Sequence, residues 1–132
     1  MTLKITSQDF NHLGSKKEKS IPFSETAIDA INITVDNARL YITLGNHEIY
    51  ANPSLMDGYV ELDFETPIAY TGAMKGKQTQ YNYMSANHEF AFEPITEITN
   101  ISVTVDNGRF YLSINGIVLD VIAMTDGQLE IG

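Results

Sequence analysis

The residues best suited to chemistry in this sequence are histidines that stand next to acids. They occur in "GNHE" (residues 45–48) and again in "NHE" (residues 87–89). Histidine nitrogens and carboxylate oxygens both bind zinc, so the two segments together are a candidate metal site. His47 and His88 are separated by 41 residues, however, whereas the internal repeat described below has a period of 70 residues. Because the two segments occupy non-equivalent places in the repeat, we predict turns or strand ends here, and no metal site.

The segment "GNHE" resembles one block of the calcineurin-like metallophosphoesterases, in which the asparagine and the histidine bind and orient around a two-metal centre. That family also requires an upstream Asp-x-His, a Gly-Asp-x-x-Asp and a downstream Gly-His-x-His, and this sequence contains none of them. The histidines are His12, His47 and His88, which are too few to assemble such a centre in the family's way. The comparison therefore predicts that the protein is not a two-metal hydrolase.

Other catalytic arrangements are also missing from the sequence. The segment "GAMKGKQT" (residues 72–79) lacks the glycine spacing of a phosphate-binding loop. The absence of cysteine excludes disulfides and thiolate catalysis. Glu61, Asp63 and Glu65 alternate along one segment, which is typical of a solvated strand face, and no apolar pocket is implied around them. We predict that the protein is not an enzyme, with no catalytic residues and no cofactor.

The charge distribution argues against direct binding of nucleic acid. The formal net charge is −9, and most of the basic residues fall in two polar segments, "GSKKEKS" (residues 14–20) and "GAMKGKQ" (residues 72–78). The remaining surface is acidic on balance and repels a phosphate backbone. An acidic mimic of nucleic acid, which would inhibit a nucleic-acid-binding enzyme, has this charge and remains an alternative.

Hydropathy patterning gives no sign of a membrane or of secretion. The first ten residues, "MTLKITSQDF", do not have the charged and apolar layout of a signal peptide, and no stretch approaches the ~18 apolar residues of a membrane span. We expect no membrane partner. A cytoplasmic or virion-associated location is favoured over others, although the sequence does not name a compartment.

The chain repeats itself. Residues 31–44, "INITVDNARLYITL", match residues 101–114, "ISVTVDNGRFYLSI", and the shorter segments 56–63 and 125–132 also match. Asn107-Gly108 lies between two alternating runs and is the strongest short signal for a two-residue β-hairpin. This turn predicts a register in which Val103 faces Leu112 on the apolar side and Thr104 faces Tyr111 on the other side.

A second turn follows each predicted hairpin, at Gly45-Asn46 and at Asn115-Gly116. The alternation after the second of these turns predicts that Ile117, Leu119 and Val121 join the apolar inward face and that Val118 points outward. The corresponding strand of the first copy is predicted to place Tyr50 directly across from Tyr41.

Each copy thus presents one apolar sheet face that needs a partner, and the other copy can supply it. We predict an all-β protein, a pseudo-twofold duplicated antiparallel β-sandwich or flattened barrel made of two four- to five-stranded meanders. The domain is single and spans residues 1–132, with repeats at 1–66 and 67–132. The choice between an open sandwich and a closed barrel stays open.

Exposed tyrosines and carboxylates are the candidate contact residues. A tyrosine ring offers a rigid contact area at low entropic cost, and its hydroxyl can still form hydrogen bonds. The predicted register and the loop positions give the candidate binding set Tyr41, Tyr50, Tyr59, Tyr81, Tyr83, Tyr111, Glu61, Asp63 and Glu65.

Three classes of function fit these observations. The first is a non-enzymatic protein-binding or assembly protein, such as a viral or phage-like virion component, a structural protein or a small protein inhibitor, which contacts a protein partner or forms a homo-oligomer through its sheet faces or edges. The second is a glycan-binding, lectin-like module with two equivalent sites. The third is the acidic nucleic-acid mimic.

Overall fold

The computed structural model describes residues 1–10, 16–37, 39–52, 57–81, 87–106, 109–119, 121 and 126–132, with the backbone alone at 50–52. Within these ranges the chain forms strands and no helix. The strands, in chain order, are β1 (Thr2–Asp9), β2 (Lys17–Pro22), β3 (Ala27–Ile28), β4 (Ile31–Asp36), β5 (Arg39–Leu44), β6 (His47–Asn52), β7 (Gly58–Tyr70), β8 (Lys75–Gln80), β9 (Asn87–Ala91), β10 (Glu97–Asp106), β11 (Arg109–Ile114), β12 (Ile117–Val118) and β13 (Gly127–Ile131).

The strands form two sheets. Sheet A has the order β12-β11-β10-β7-β1-β2, and sheet B has the order β6-β5-β4-β13-β8-β9. All pairs are antiparallel except that of β3, which lies parallel to the end of β7 in sheet A. Neither sheet closes on itself through any of the described strand pairs, so the flattened barrel is not the arrangement found.

The buried side chains of both sheets belong to one hydrophobic core. Inward residues alternate with outward ones in the repeated hairpin strands, as in β4, where Ile31, Ile33 and Val35 are buried. The same alternation buries Val103 and Leu112, which face each other across β10 and β11. The predicted all-β class and the predicted hairpin registers of both repeated segments are therefore confirmed.

The turns use residues that tolerate a left-handed backbone. Asn37, which begins the first hairpin turn, has φ of 51°, and Asn115 and Gly116 in the later turn have φ of 54° and 81°. Asparagine and glycine adopt these angles at lower cost than other residues, which is why they signal two-residue turns. The predicted Asn107-Gly108 turn lies outside the described residues.

The predicted pairing of Tyr41 with Tyr50 is wrong. Tyr41 lies opposite Ala51, and Tyr50 lies opposite Ile42, because the pairing of β5 with β6 shifts between Ile42 and Thr43. The extra residue in β6 is Ile49, which makes the irregularity a β-bulge. A period-two pattern cannot reveal one inserted residue.

Ile117 is also not buried. It takes the predicted inward position opposite Ile114, yet 57% of its surface is exposed. The reason is that β12 is only two residues long and is the last of the described strands of sheet A, so no other described strand pairs with its outer side. Leu119 is buried as predicted, and Val118 points outward.

No helix in the described part of the chain has the length and apolar character needed to cross a lipid bilayer.

Candidate interaction surface

Two of the predicted contact tyrosines lie in one row on the outer face of sheet A. Thr104 of β10 lies opposite Tyr111 of β11 on one side and opposite Tyr59 of β7 on the other. Tyr111 is 42% exposed, while Tyr59 is half-buried and contacts the ring of Phe10 with a centroid separation of 6.1 Å. This row is a mixed surface of aromatic rings and a hydroxyl.

The other predicted tyrosines do not join this row. Tyr41 lies half-buried on sheet B, opposite Thr34. Tyr81 is half-exposed beyond the end of β8, and its backbone N–H donates to the carbonyl of Asp126. The side chain of Tyr50 and the whole of Tyr83 lie outside the described residues. The sequence therefore predicted exposed tyrosines without predicting which of them share a surface.

The predicted carboxylates are partly engaged inside the protein. The side-chain amide of Asn100 donates to Glu61 Oε1 at 3.1 Å and to Asp63 Oδ1 at 2.7 Å. Glu65 Oε1 accepts a hydrogen bond from the backbone N–H of Thr2. These bonds connect β7 to its neighbours β10 and β1. The carboxylates of Glu61, Asp63 and Glu65 therefore contribute to the contacts between strands as well as to the surface.

The histidines are kept apart by the sheet order. His47 begins β6 and His88 lies in β9, and these strands are the two opposite edges of sheet B with four strands between them. At ~4.8 Å per strand spacing, the two edges are roughly 24 Å apart. His47 Nε2 lies 2.9 Å from Glu25 Oε1, and the ring of His88 stacks on Phe90. Among the described residues no group of three or more histidine and acidic side chains is placed to hold a metal ion.

The largest apolar side chains exposed on a described sheet edge are Ile117 and Val118. They form β12, and Val118 is 68% exposed. Beside them lies a groove of about 430 Å³ between β12 and the segment that precedes β10. The groove is lined by Ala91, Phe92, Glu93, Pro94, Ile95, Ile114, Ile117, Val118 and Leu119.

Both walls of this groove are fixed by hydrogen bonds. On one side Asn115 Oδ1 accepts from the backbone N–H of Thr99 at 2.7 Å, and Asn115 Nδ2 donates to the carbonyl of Glu97 at 2.8 Å. On the other side the backbone N–H of Phe92 donates to the carbonyl of Met74. Because its walls are tied to the sheet, the groove is formed before any partner arrives.

Sheet B has a polar counterpart of this groove. Leu44 lies opposite His47 across the turn between β5 and β6, just as Ile114 lies opposite Ile117 across the turn between β11 and β12. The depression beside His47 has a volume of about 270 Å³ and is lined in part by Glu25 and Asp29. One hairpin end is therefore polar and carries a hydrogen-bonded His47–Glu25 pair, while the other is apolar and exposed.

The other edges of the two sheets differ from β12. The outer strand β2 carries the alternating charges "KEK" and ends at Pro22, which are features that discourage pairing with another strand. A depression of about 480 Å³ between β8 and β9 is lined by Lys75, Lys77, Glu89 and Glu130, whose opposite charges offset one another. Among these surfaces β12 is the one with two adjacent exposed aliphatic residues.

This surface was not predicted from the sequence, because the alternating pattern assigned Ile117 to the core. The repeat itself contains the signal, since an isoleucine stands where the first copy has a histidine at the same position after the turn. No protein-family model matches the chain, and neither the curated proteins nor the solved structures include a match to it.

Proposed function

We propose that the protein is a non-enzymatic protein-binding or assembly protein and that its contact surface is the apolar edge of sheet A. This edge, called here the β12 surface, consists of Ile117 and Val118, the groove beside them and the neighbouring ring of Tyr111. The observation that carries the proposal is the exposure of Ile117 and Val118 on a sheet edge next to a preformed apolar groove.

The energetic argument rests on area that is still in contact with water. Full burial of an isoleucine or valine side chain contributes about 1.5 to 3 kcal/mol, and more than half of each of these two residues is exposed. A partner that covers both gains roughly 2 to 4 kcal/mol from them alone. Aromatic rings are enriched at the centre of protein interfaces, and Tyr111 supplies one beside this edge.

The same proposal includes the finer architecture, a pseudo-twofold sandwich of two repeats within one domain. The strand orders of the two sheets support this architecture. They become identical when the strands of the first half, β1, β2, β4, β5, β6 and β7, are exchanged in that order for the strands of the second half, β8 to β13. In this arrangement each copy places its last strand in the sheet that holds the other copy's hairpin. Such a scaffold holds its edges rigidly, as a virion component, a structural protein or a small inhibitor requires, and a cytoplasmic or virion-associated location suits these roles.

The two alternative functions have weaker support. A lectin with two equivalent sites needs equivalent faces, yet the position of Tyr59 on sheet A is taken by Gln128 on sheet B. An acidic mimic needs free carboxylates, yet Glu61 and Asp63 both accept hydrogen bonds from Asn100. Ile117 and Val118, by contrast, each leave more than half of their surface exposed.

Affinity capture with matched variants tests this function. Immobilised wild type, the double variant Ile117→Thr/Val118→Thr and the control His47→Thr are incubated with extract of the source cells, and bound proteins are identified by mass spectrometry. The control changes the position of sheet B that corresponds to Ile117. We expect a protein that wild type and the control retain and the double variant loses. Equal retention by all three folded proteins, or no retained protein, would contradict the proposal.

A further inference from the structure

We infer that the occupant of the β12 surface is an extended segment of a different protein, with an aliphatic side chain that enters the groove and a lysine or arginine beside it. This inference rests on the proposed function and adds the chemistry of the partner. It follows from three observations: the apolar lining of the groove, the carboxylate at its rim and the edge position of β12.

The lining determines the apolar part of the partner. The floor of the groove is formed by Ile114 and Leu119, which belong to the buried core, and Phe92, Ile95 and Ile117 surround them. An aliphatic side chain is covered on several sides by these groups, whereas a polar side chain would lose its hydrogen bonds to water there.

The rim determines the charged part. Glu93 lines the groove and is exposed, and it forms no ion pair within the described part of the chain. The protein as a whole has a net charge of −9, so its field attracts a basic segment and repels an acidic one. A second copy of this chain would bring the same negative charge to the contact, which disfavours self-pairing at this edge.

The position of β12 determines the conformation of the partner. β12 pairs with β11 on one side, through Ser113 opposite Val118 and Ile114 opposite Ile117, and on its other side no described strand of the chain pairs with it. Edge strands accept an added strand through their outward backbone groups, while pockets beside them select alternate side chains. An extended segment can therefore pair with β12 and place one side chain into the groove.

Selection from a phage-displayed library of random 12-residue peptides tests this chemistry without a known partner. The full chain is immobilised and peptides are selected on wild type after depletion on the Ile117→Thr variant. The inference predicts enriched peptides with Ile, Leu or Val one or two positions from Lys or Arg. Enriched peptides without a basic residue, acidic peptides, or segments of this chain's own sequence would overturn it and leave the proposed function intact.

The best synthetic peptide is then measured by isothermal titration against wild type, Glu93→Gln and Ile117→Thr at 50 and 300 mM salt. We expect Ile117→Thr to weaken binding at least ten-fold and Glu93→Gln to weaken it about two- to five-fold, as is typical of an exposed charge pair. The Glu93 effect should shrink at the higher salt concentration because exposed charges are screened. A peptide indifferent to both variants, or the failure to enrich any peptide, also overturns the inference, while the capture experiment above decides the proposed function separately.

Discussion

Ile117 and His47 occupy matching positions after the turns of two hairpins with similar sequences, yet one is an exposed aliphatic residue and the other a histidine hydrogen-bonded to Glu25. Ile117 lies opposite Ile114 and is 57% exposed, and His47 lies opposite Leu44 with its Nε2 2.9 Å from a Glu25 oxygen. The pairing across the turn is the same in both hairpins, while the chemistry of the residue after the turn differs. This difference is the basis of the function proposed for the β12 surface.

The face assignment of sheet A predicts opposite outcomes for neighbouring substitutions. Leu112→Asp places an unpaired charge at a fully buried position and should abolish cooperative folding. Thr104→Asp changes a half-buried position on the outer face and should cost about 1 kcal/mol or less. Thermal unfolding followed by circular dichroism distinguishes the two, and similar damage from both would show that the assigned faces are wrong.

Asn115 should stabilise the turn through both its backbone angle and its side chain. Asn115→Gly keeps the left-handed backbone available but removes the hydrogen bonds with Thr99 and Glu97, for a loss of about 1 kcal/mol. Asn115→Ala removes the same bonds and adds left-handed strain, for a further loss of about 1 kcal/mol. Urea denaturation should rank wild type above glycine and glycine above alanine. An alanine variant as stable as the glycine variant would refute the role of the backbone angle.

The partly buried phenol of Tyr70 should make the folded protein less stable at alkaline pH. Burial, with a smaller effect of the nearby Asp29, raises the pKa of its phenol above the ordinary value of 10.0, and the hydroxyl donates to the carbonyl of Ala73. Since the pKa is higher in the folded state, the stabilisation is fully present below pH 10 and is lost as the pH rises through the folded-state pKa. The free energy of unfolding should fall less steeply above pH 10 in Tyr70→Phe than in wild type. Equal slopes would mean that this phenol is not the group responsible.

Sequence reasoning succeeded where the signal is local. The hairpins of β4–β5 and β10–β11 follow from alternating apolar residues and from turn residues such as Asn37, and their registers are as predicted. Long-range pairing was beyond its reach, because no turn links β7 to β10 or β13 to β4. The bulge at Ile49 was also not predicted. The residue types in β6 are ordinary strand residues and do not show which of them lacks a partner on β5.

The candidate site was predicted only in part. Tyr111 is exposed as expected, but it is one of several tyrosines that the sequence treated alike. Ile117 was placed in the core because alternation determines which side of a strand a residue faces, and not whether anything covers that side. Coverage depends on where the strand ends and on what packs beyond it. These are tertiary features, and they leave Ile117 exposed at an edge that no described strand covers.

Binding through the carboxylates of Glu61, Asp63 and Glu65 and binding through the β12 surface should depend differently on charge. Replacing Glu61, Asp63 and Glu65 together by Gln, Asn and Gln removes three charges, yet these residues lie on β7, away from the β12 edge. We expect the affinity for the captured partner to change less than about three-fold, as for charges outside an interface core. Biolayer interferometry measures this affinity. A loss of more than ten-fold, with binding retained by the Ile117→Thr/Val118→Thr variant, would favour the acidic mimic instead.

Site-specific photo-crosslinking tests most directly whether a partner covers the β12 surface. A photoreactive benzoylphenylalanine replaces either Val118, opposite Ser113 on sheet A, or Glu48, the exposed residue opposite Thr43 on sheet B. Each protein is irradiated in the cell extract from which wild type captures its partner. If a partner covers the β12 surface, position 118 should give a covalent adduct with that partner and position 48 should give none. An adduct from position 48 alone, equal adducts from both positions, or no adduct from position 118 would contradict this proposal.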